Sequence, residues 1–189
     1  MANLGRKHCN TIKRILRYIK GTSDTALCYG GSESTVRGYV DSNFVGDLEK
    51  RKSTTGYMFT IVGGAVSWVS KLQTIVTLCT TEAEYMATTQ ACKKAIWMRK
   101  LMEELGHKQK KIPLYCDNQC ALHIERNSMF HSRTKHIDVQ YHFVCEVVKD
   151  ESVDFKKMHT KKNLADALTK PVNTDKYIWC ISSYGLAET

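Results

Sequence analysis

Apolar and polar positions follow two different periods along the chain, and each change of period marks a predicted element. Residues 8–19 repeat apolar side chains every three or four positions, which predicts an amphipathic helix that ends at Gly21. Short apolar runs then predict strands at 25–29, 35–41, 55–62, 65–70 and 73–78. The glycine doublets at 30–31 and 63–64 mark turns, the second typical of a two-residue hairpin, and polar residues 47–56 predict a loop.

The second half of the chain alternates between the two periods. A long helix is predicted over 81–105, ended by Gly106, and an apolar strand over 112–117. The remaining predicted elements are a short helix at 118–125, an amphipathic helix at 137–149, a strand at 152–159, a short helix at 164–169 and a last helix at 175–184. Strands that come first, followed by alternating strands and helices, predict an α/β domain with a mixed sheet, a meander plus parallel crossover units.

Charge and cysteine content narrow the class of protein. The 189 residues fit one domain, and a formal charge of +9 indicates either a polyanionic partner or a basic surface without specific function. No apolar run is long enough to span a bilayer and the N-terminus lacks a signal-peptide core, so we expect no membrane and a reducing compartment. Eight scattered cysteines without a CxxC pair, and histidines without the spacing of a zinc hairpin, favour buried thiols over disulfides or zinc.

Two glutamates open the long predicted helix and face different ways. If Glu84 is taken as zero, the apolar positions Ala87, Ala91, Ala95, Met98, Met102 and Leu105 fall within about 60° of it. Glu84 therefore begins the stripe that packs on the sheet, whereas Glu82 lies roughly 200° away and is expected in solvent. A carboxylate on a buried stripe implies a partner cation or metal, or an acid that favours the helix dipole. This segment alone leaves both explanations open.

Three further acids lie where functional sites collect. Asp41 ends one predicted strand, Asp117 ends another, and Asp166 is surrounded by apolar residues on a short helix. Each alone is explained better by a turn or a helix cap. Together with Glu84 they form four carboxylates, which need countercharge if they meet. Two divalent cations about 4 Å apart would supply it and would activate water against a phosphodiester, while the basic charge attracts the phosphate backbone.

Five stretches of the chain resemble a known family. They are GYVDSNFVGDLEKRKSTTGYMF, VSWVSKLQTIVTLCTTEAEYMA, YCDNQCAL, HSRTKHIDVQYHF and NLADALTKPV. Together, over about residues 35–172, they resemble the RNase H region at the C-terminal end of copia-type LTR retrotransposon Pol polyproteins. The resemblance implies an RNase H-like fold, a five-stranded mixed sheet with helices on both faces, and cleavage of the RNA strand of RNA–DNA hybrids during reverse transcription.

The same resemblance divides the chain. Residues 1–30 resemble the tail of the reverse transcriptase that precedes RNase H, residues 31–172 are expected to form the RNase H-like domain, and 173–189 a C-terminal helical tail. The implied partners are the RNA–DNA hybrid and the reverse transcriptase domain of the same polyprotein. The implied location is a cytoplasmic virus-like particle, with nuclear passage as an alternative. Oligomeric state is left open.

The resemblance also assigns roles to single residues. Asp41, Glu84, Asp117 and Asp166 match the family's metal-binding acids, which implies two Mg²⁺ ions, with Mn²⁺ as an alternative. Asn43 stands where many relatives carry an acid.

Two histidines are further candidates. His159 is the nearest match to a histidine that helps product leave in cellular RNases H, but a loop histidine without catalytic role explains it equally well. His136 belongs to the HSRTKHIDVQYHF signature, and a role in positioning the scissile region is a hypothesis.

Basic and polar residues are candidates for contacts with the hybrid, since lysine and arginine bind phosphates and fix the register of the protein on the duplex. They are Arg51, Lys52, Ser70, Lys71, Asn118, Arg133 and Lys135. For each lysine taken singly, a solvated surface charge is the alternative. Trp68 and Trp97 are predicted to lie in the core rather than to stack on bases.

Two other functions compete with the nuclease. One is a catalytically silent RNase H-like domain that binds nucleic acid or connects other domains. The presence of all four acids favours the nuclease. The other is a transposase or integrase on the same fold, which would carry a glutamate on the late helix where this chain has Asp166.

Overall fold

The computed structural model of the chain describes residues 5–116 and 135–188, without the side chains of residues 135–138 and 141. The helices are α1 (Arg6–Gly21), α2 (Thr80–Glu104), α3 (Lys135–Lys149), α4 (Asp166–Thr169) and α5 (Thr174–Ser183), with a 3-10 helix at Thr160–Lys162. The strands are β1 (Thr25–Leu27), β2 (Arg37–Asp47), β3 (Lys52–Ile61), β4 (Gly64–Leu72), β5 (Ile112–Cys116), β6 (Val153–Lys157) and β7 (Leu186–Glu188).

The main sheet has five strands in the order β4-β3-β2-β5-β6. Strands β2, β3 and β4 form an antiparallel meander, and β5 and β6 run parallel to β2, as the sequence predicts. The β3–β4 hairpin turns at Val62 and Gly63, both with positive φ, which suits the twist of the strands. The register places Val40 on β2 beside Cys116, the last residue of β5.

Helices cover both faces of this sheet, which confirms the predicted architecture. On one face, α2 and α3 bury a core that includes Val40, Phe59, Leu114, Ala91 and Val147. On the other face a smaller cluster joins Met58, Ala65 and Leu164, with Tyr39 and Leu168 packed against it. Neighbouring residues of a strand face opposite ways, so β2 directs Val40 toward α2 and Tyr39 toward the C-terminal segment.

Two predicted elements around the meander are wrong. The predicted loop 47–56 is mostly strand, because Ser53 lies buried in β3 and its hydroxyl accepts a hydrogen bond from Val45 N at 3.1 Å. The predicted strand 73–78 does not form. Buried Gln73 instead donates from Nε2 to Thr55 Oγ1 at 3.1 Å and to the Ala83 carbonyl at 2.9 Å, which leads the chain into α2. A polar residue that is buried with a hydrogen-bond partner, such as Ser53, therefore looks like a loop residue in the sequence.

The first helix is confirmed, but its apolar stripe is not buried. Helix α1 contains no buried residue, and Ile12, Ile15, Leu16 and Ile19 are all exposed. Tyr18 makes an edge-to-face contact with Tyr177 of α5, with ring centroids 6.5 Å apart. An apolar stripe therefore predicts the helix correctly without predicting what covers it.

The two ends of the described chain also pair. Strand β1 forms an antiparallel two-stranded sheet with β7, an element that the sequence pattern does not predict. The division into segments at residues 30 and 172 stays a prediction, although this pairing joins residues on either side of the central segment.

Both tryptophan predictions are wrong. The side chains of Trp68 and Trp97 are 53% and 51% exposed, so neither is a core residue. The ammonium of Lys94 lies 3.8 Å from the centroid of the Trp97 ring, a cation–π contact at the surface.

The structure also bears on two further expectations, that the cysteines are buried thiols and that no segment spans a membrane. No cysteine within the described ranges is in a disulfide; Cys92, Cys116 and Cys180 are buried, whereas Cys9, Cys28 and Cys79 are exposed. Burial raises the pKa of the Cys92 thiol. No helix in residues 5–116 or 135–188 is long and apolar enough to cross a membrane.

Candidate active site

Two of the predicted acids meet on the face of the sheet opposite α2. Asp41 lies on β2 directly after Val40, and the alternation of the strand turns its side chain toward α4. Asp166 is the first residue of α4. Both carboxylates are withdrawn from solvent, with 2% exposure for Asp41 and 5% for Asp166. Burial of an ionised carboxylate is costly unless a positive charge or hydrogen bonds compensate it.

Part of that compensation comes from an ammonium group between the two acids. Lys170 Nζ lies 2.9 Å from Asp166 Oδ1 and 3.6 Å from Asp41 Oδ2. Asp166 Oδ1 is buried and, despite the short distance, accepts no directed hydrogen bond, so its contact with Lys170 is an ion pair. A cation is therefore held between two oxygen ligands that come from distant parts of the chain.

Helix α4 reaches β2 through its last residue, Thr169. The Thr169 hydroxyl donates a hydrogen bond to Asp41 Oδ2 and also lies 3.1 Å from the Asp166 carbonyl. Asn43, two residues after Asp41 on the same face, donates from Nδ2 to the Thr169 carbonyl at 3.3 Å. An aspartate at position 43 could not donate this bond, which gives the departure from the family pattern a physical role.

Residues of the neighbouring strands β3 and β4 also hold α4 in position. Ser70 on β4 donates its hydroxyl to the Leu168 carbonyl at 2.6 Å. Between Ser70 and Asp41 in the register lies Gly56, where a Cβ atom would stand 2.5 Å from Thr169 Cγ2 and 3.1 Å from the Ala165 carbonyl. A helix of four residues is not stable by itself, so these contacts determine where Asp166 lies.

The loop before α4 is fixed by Asn163, which is fully buried. Its Nδ2 donates to the Val40 carbonyl at 2.9 Å, and its Oδ1 accepts the N–H of Ala165 at 3.0 Å. The amide therefore ties the residues on either side of the site, β2 and the start of α4, to each other.

A second lysine holds the C-terminal helix against the same loop. Lys176 Nζ donates to the carbonyls of Thr160, Lys161 and Asn163 at 3.0, 2.6 and 2.9 Å, and Asp166 Oδ2 lies 3.9 Å away. Burial lowers the pKa of Lys176, and the Asp166 carboxylate acts in the opposite direction. All three N–H groups of the ammonium are used, so Lys176 supports the loop and adds positive potential near Asp166.

Replacing Lys176 by Met is expected to lower the free energy of unfolding by about 1–3 kcal/mol, because three carbonyls lose a charged donor. Urea unfolding followed by circular dichroism measures the change. Lys149→Met removes a charge from the exposed end of α3 and is expected to leave the midpoint nearly unchanged. Equal midpoints for the two variants would contradict the supporting role of Lys176.

Glu84 lies on α2 with 4% exposure, and its stripe is buried from Ala87 to Met102. The prediction fails at Leu105, which is exposed because the helix ends at Glu104. Glu82 is half-buried rather than solvated, and its Oε2 accepts the N–H of Leu78 at 2.6 Å. Glu84 is thus buried as expected, whereas Glu82 is not fully in solvent and satisfies a backbone donor at the start of the helix.

Several predicted site residues lie outside the described part of the chain. These are Asp117, Asn118 and Arg133, together with the side chains of Lys135 and His136 on α3. Strand β5 ends at Cys116, whose partner Val40 precedes Asp41.

The remaining candidate site residues lie on other elements: the N-cap of the 3-10 helix, the β2–β3 turn, and strands β3 and β4. His159 is exposed, and its Nδ1 accepts the N–H of Lys161 at 3.1 Å, which caps the 3-10 helix. Arg51 is exposed in the β2–β3 turn with φ of 52°, and Lys52 donates from Nζ to the Thr74 carbonyl at 2.9 Å. Lys71 is exposed on β4.

The oxygen donors of Asp41 and Asp166 fit a hard divalent cation. Mg²⁺ keeps several of its waters and binds proteins through one or two carboxylates, which this pair can supply. Across residues 5–116 and 135–188, no three side chains of His, Cys, Asp or Glu gather closely enough to hold a metal ion. Within those ranges Glu84 therefore does not join the two aspartates in a group of three.

Sequence reasoning missed the residues that hold the aspartates in place: Thr169, Lys170, Asn163 and Lys176. Asp166 and Lys170 are four positions apart, a spacing at which opposite charges on a helix attract, so this pair had a local signal. Asn163 and Lys176 bond to backbone carbonyls, and no pattern in the sequence marks a carbonyl as a partner.

Comparison with known proteins gives relatives along most of the chain. The Retrovirus-related Pol polyprotein from transposon TNT 1-94 of Nicotiana tabacum is 48% identical over 186 residues, 98% of this chain. The Pol polyproteins from transposons RE2 and RE1 of Arabidopsis thaliana are each 36% identical over 88% of it. The chain spans 14% of the tobacco polyprotein and 12% of each Arabidopsis one. No family model matches the sequence.

Solved structures share the fold at low identity. LC11-RNase H1, crystallised in complex with an RNA/DNA hybrid, matches 71% of this chain and 94% of its own with a TM-score of 0.52 and 14% identity. RNase H1 from the halophilic archaeon Halobacterium salinarum matches 71% of this chain and 94% of its own, with a TM-score of 0.50 and 18% identity. At such identities the likeness concerns the fold.

Proposed function

Because the chain belongs to the copia-type retrotransposon Pol polyproteins, of which it is a portion with an RNase H-like fold, we propose that it hydrolyses the RNA strand of RNA–DNA hybrids during reverse transcription. The observation that supports this most is the pair Asp41 and Asp166, both buried, with a cationic group 3.6 and 2.9 Å from their oxygens. Burial of charge is costly, so two buried acids that share a cation mark a candidate functional site.

Asp41 and Asp166 would hold a divalent cation, Mg²⁺ or Mn²⁺, and we propose Glu84 and Asp117 as ligands that complete a two-ion site. When bound, such ions supply an activated water and stabilise the leaving oxygen of a phosphodiester. The residues of this chain orient the acids. Thr169 fixes one oxygen of Asp41, and Lys176 and Asn163 fix the loop that carries Asp166.

The substrate would be held by its backbone rather than read by its bases. The formal charge of +9 favours a polyanion, and exposed Arg51 and Lys71 are available for phosphates. Lys52 and Ser70 already bond to carbonyls within the chain, so we expect them to contribute less to binding. Asn118, Arg133 and Lys135 stay candidates, as do His136 and His159. Hybrids are distinguished by groove width and 2′-hydroxyls.

The partner and the location are proposed from the likeness to these polyproteins. The reverse transcriptase of the same polyprotein would make the hybrid that this domain degrades, in cytoplasmic virus-like particles with nuclear passage as the alternative.

A silent domain that binds hybrids without cleaving them is the second candidate. Lys170 favours it, because its ammonium neutralises the two carboxylates that a divalent cation would otherwise occupy. If Lys170 stayed between the carboxylates, the domain would keep its basic surface but could not bind the metal ions that cleavage needs.

One assay separates the two. The chain is incubated with a hybrid labelled on its RNA strand, with Mg²⁺, with Mn²⁺ and with EDTA, and binding is followed in parallel by fluorescence anisotropy. We expect RNA cleavage that needs the metal and is lost in Asp117→Asn, with the DNA strand intact. Binding without cleavage under any metal condition would reject the nuclease and support the silent domain.

A further inference from the structure

Lys170 lies at the boundary between the site and solvent. It follows the last residue of α4 in extended backbone conformation, and its side chain is 36% exposed. The stem therefore runs from the surface to an ammonium that lies between two buried carboxylates. Lysine has a flexible four-carbon stem, so its charged end can move several ångströms without a change of the backbone.

Lys176 provides the contrast. Its side chain is 13% exposed, its ammonium donates to three backbone carbonyls, and it lies 4.4 Å from the centroid of the Trp179 ring. Moving Lys176 would break three hydrogen bonds at once. Moving Lys170 would exchange its ion pairs with Asp166 and Asp41 for hydration, at a cost that another cation at the carboxylates would offset.

We propose that the Lys170 ammonium is a tethered cation that competes with the divalent cation for Asp41 and Asp166. The inference rests on the proposed function, in which these acids hold such an ion. An ammonium and a divalent cation repel each other at contact distance, so both cannot occupy the gap between the carboxylates. Lys170 thus stabilises the metal-free site and weakens the binding of the metal, and it swings to solvent when the metal binds.

The test measures metal binding without nucleic acid. Mg²⁺ is titrated into the full chain by isothermal calorimetry, and thermal unfolding is recorded with and without Mg²⁺. In Lys170→Met we expect a lower melting temperature without metal, because the carboxylates then repel each other, and a Kd for Mg²⁺ about tenfold lower than in the unmodified chain. The rise in melting temperature on adding Mg²⁺ should therefore be larger in the variant.

Two variants control for charge and folding. Lys149→Met removes one positive charge at the exposed end of α3 and should leave the Kd unchanged. Lys170→Arg keeps a cation on a flexible side chain of similar length and should keep the Kd near that of the unmodified chain. If Lys170→Met does not fold without metal, refolding is titrated with Mg²⁺. The inference then requires that half of the variant refolds at a Mg²⁺ concentration below the Kd of the unmodified chain.

Contrary results are distinct for the two proposals. An equal or weaker affinity for Mg²⁺ in Lys170→Met, or no binding in either chain, overturns the role of Lys170. Tighter Mg²⁺ binding in Lys170→Met without hybrid cleavage by the unmodified chain supports the tethered cation and rejects the nuclease. Hybrid cleavage by the unmodified chain, together with an equal Mg²⁺ affinity in Lys170→Met, supports the nuclease and rejects the tethered cation.

Discussion

Replacing Asp166 by Asn is expected to lower the rate of RNA cleavage more than about 100-fold while the chain stays folded. Asparagine has nearly the same shape, so the seat of α4 against Gly56 is preserved. The charge that attracts a cation is lost, however, and a direct ligand should matter more than the outer partners of metal ligands, whose loss costs about 10–100-fold. Single-turnover rates on a labelled hybrid with saturating Mg²⁺ measure the effect.

An exposed aspartate gives the matched control. Asp154 on β6 is 47% exposed and lies 3.5 Å from Lys156, so Asp154→Asn changes the same charge at the surface. It should keep the rate within about twofold, since exposed ion pairs contribute little. Asp41→Asn should behave like Asp166→Asn. A rate above one tenth of normal in both site variants would show that the buried pair is not the catalytic centre.

The buried pair could be predicted only in part. Asp41 and Asp166 are recognisable because one ends an apolar run and the other is surrounded by apolar residues, although β2 continues past Asp41 to Asp47. Their meeting depends on the face of β2 that Asp41 takes and on the crossing of α4 over Gly56, which are tertiary facts. The sequence indicates which residues are unusual for their surroundings, whereas the fold determines which of them become neighbours.

The residues that hold the two aspartates from distant parts of the chain could not be predicted, for a different reason. Lys176 and Asn163 bond to backbone carbonyls that every residue carries, so no side-chain pattern marks the partner. Strand β7 has three residues and forms by pairing with β1, too short for a period to show. The helical stripes of α1 and α2 were both found, yet only that of α2 is buried, because periodicity reports the shape of a helix and not its neighbours.

The second large effect is expected at Gly56, which lies opposite Asp41 in the register of β2 and β3. The Cβ of Gly56→Ala would stand 2.5 Å from Thr169 Cγ2, so α4 must move away from the sheet. Overpacking of this kind costs about 1–3 kcal/mol, or roughly 2–12 °C of melting temperature at this chain length. The shift would draw the Thr169 hydroxyl from Asp41 and carry Asp166 with it. A displacement near 1 Å can lower a rate about 100-fold.

Gly30→Ala is the control, because no atom lies within 4 Å of the Cβ position at Gly30. It should leave both melting temperature and cleavage rate unchanged. Adding Thr169→Ser to Gly56→Ala removes the clashing Cγ2 and keeps the hydroxyl, so the double variant should recover much of the rate, since coupling is strong between residues in contact. No recovery, with the melting temperature restored, would mean that the position of α4 over Gly56 contributes to stability but not to the alignment of Asp41 with Asp166.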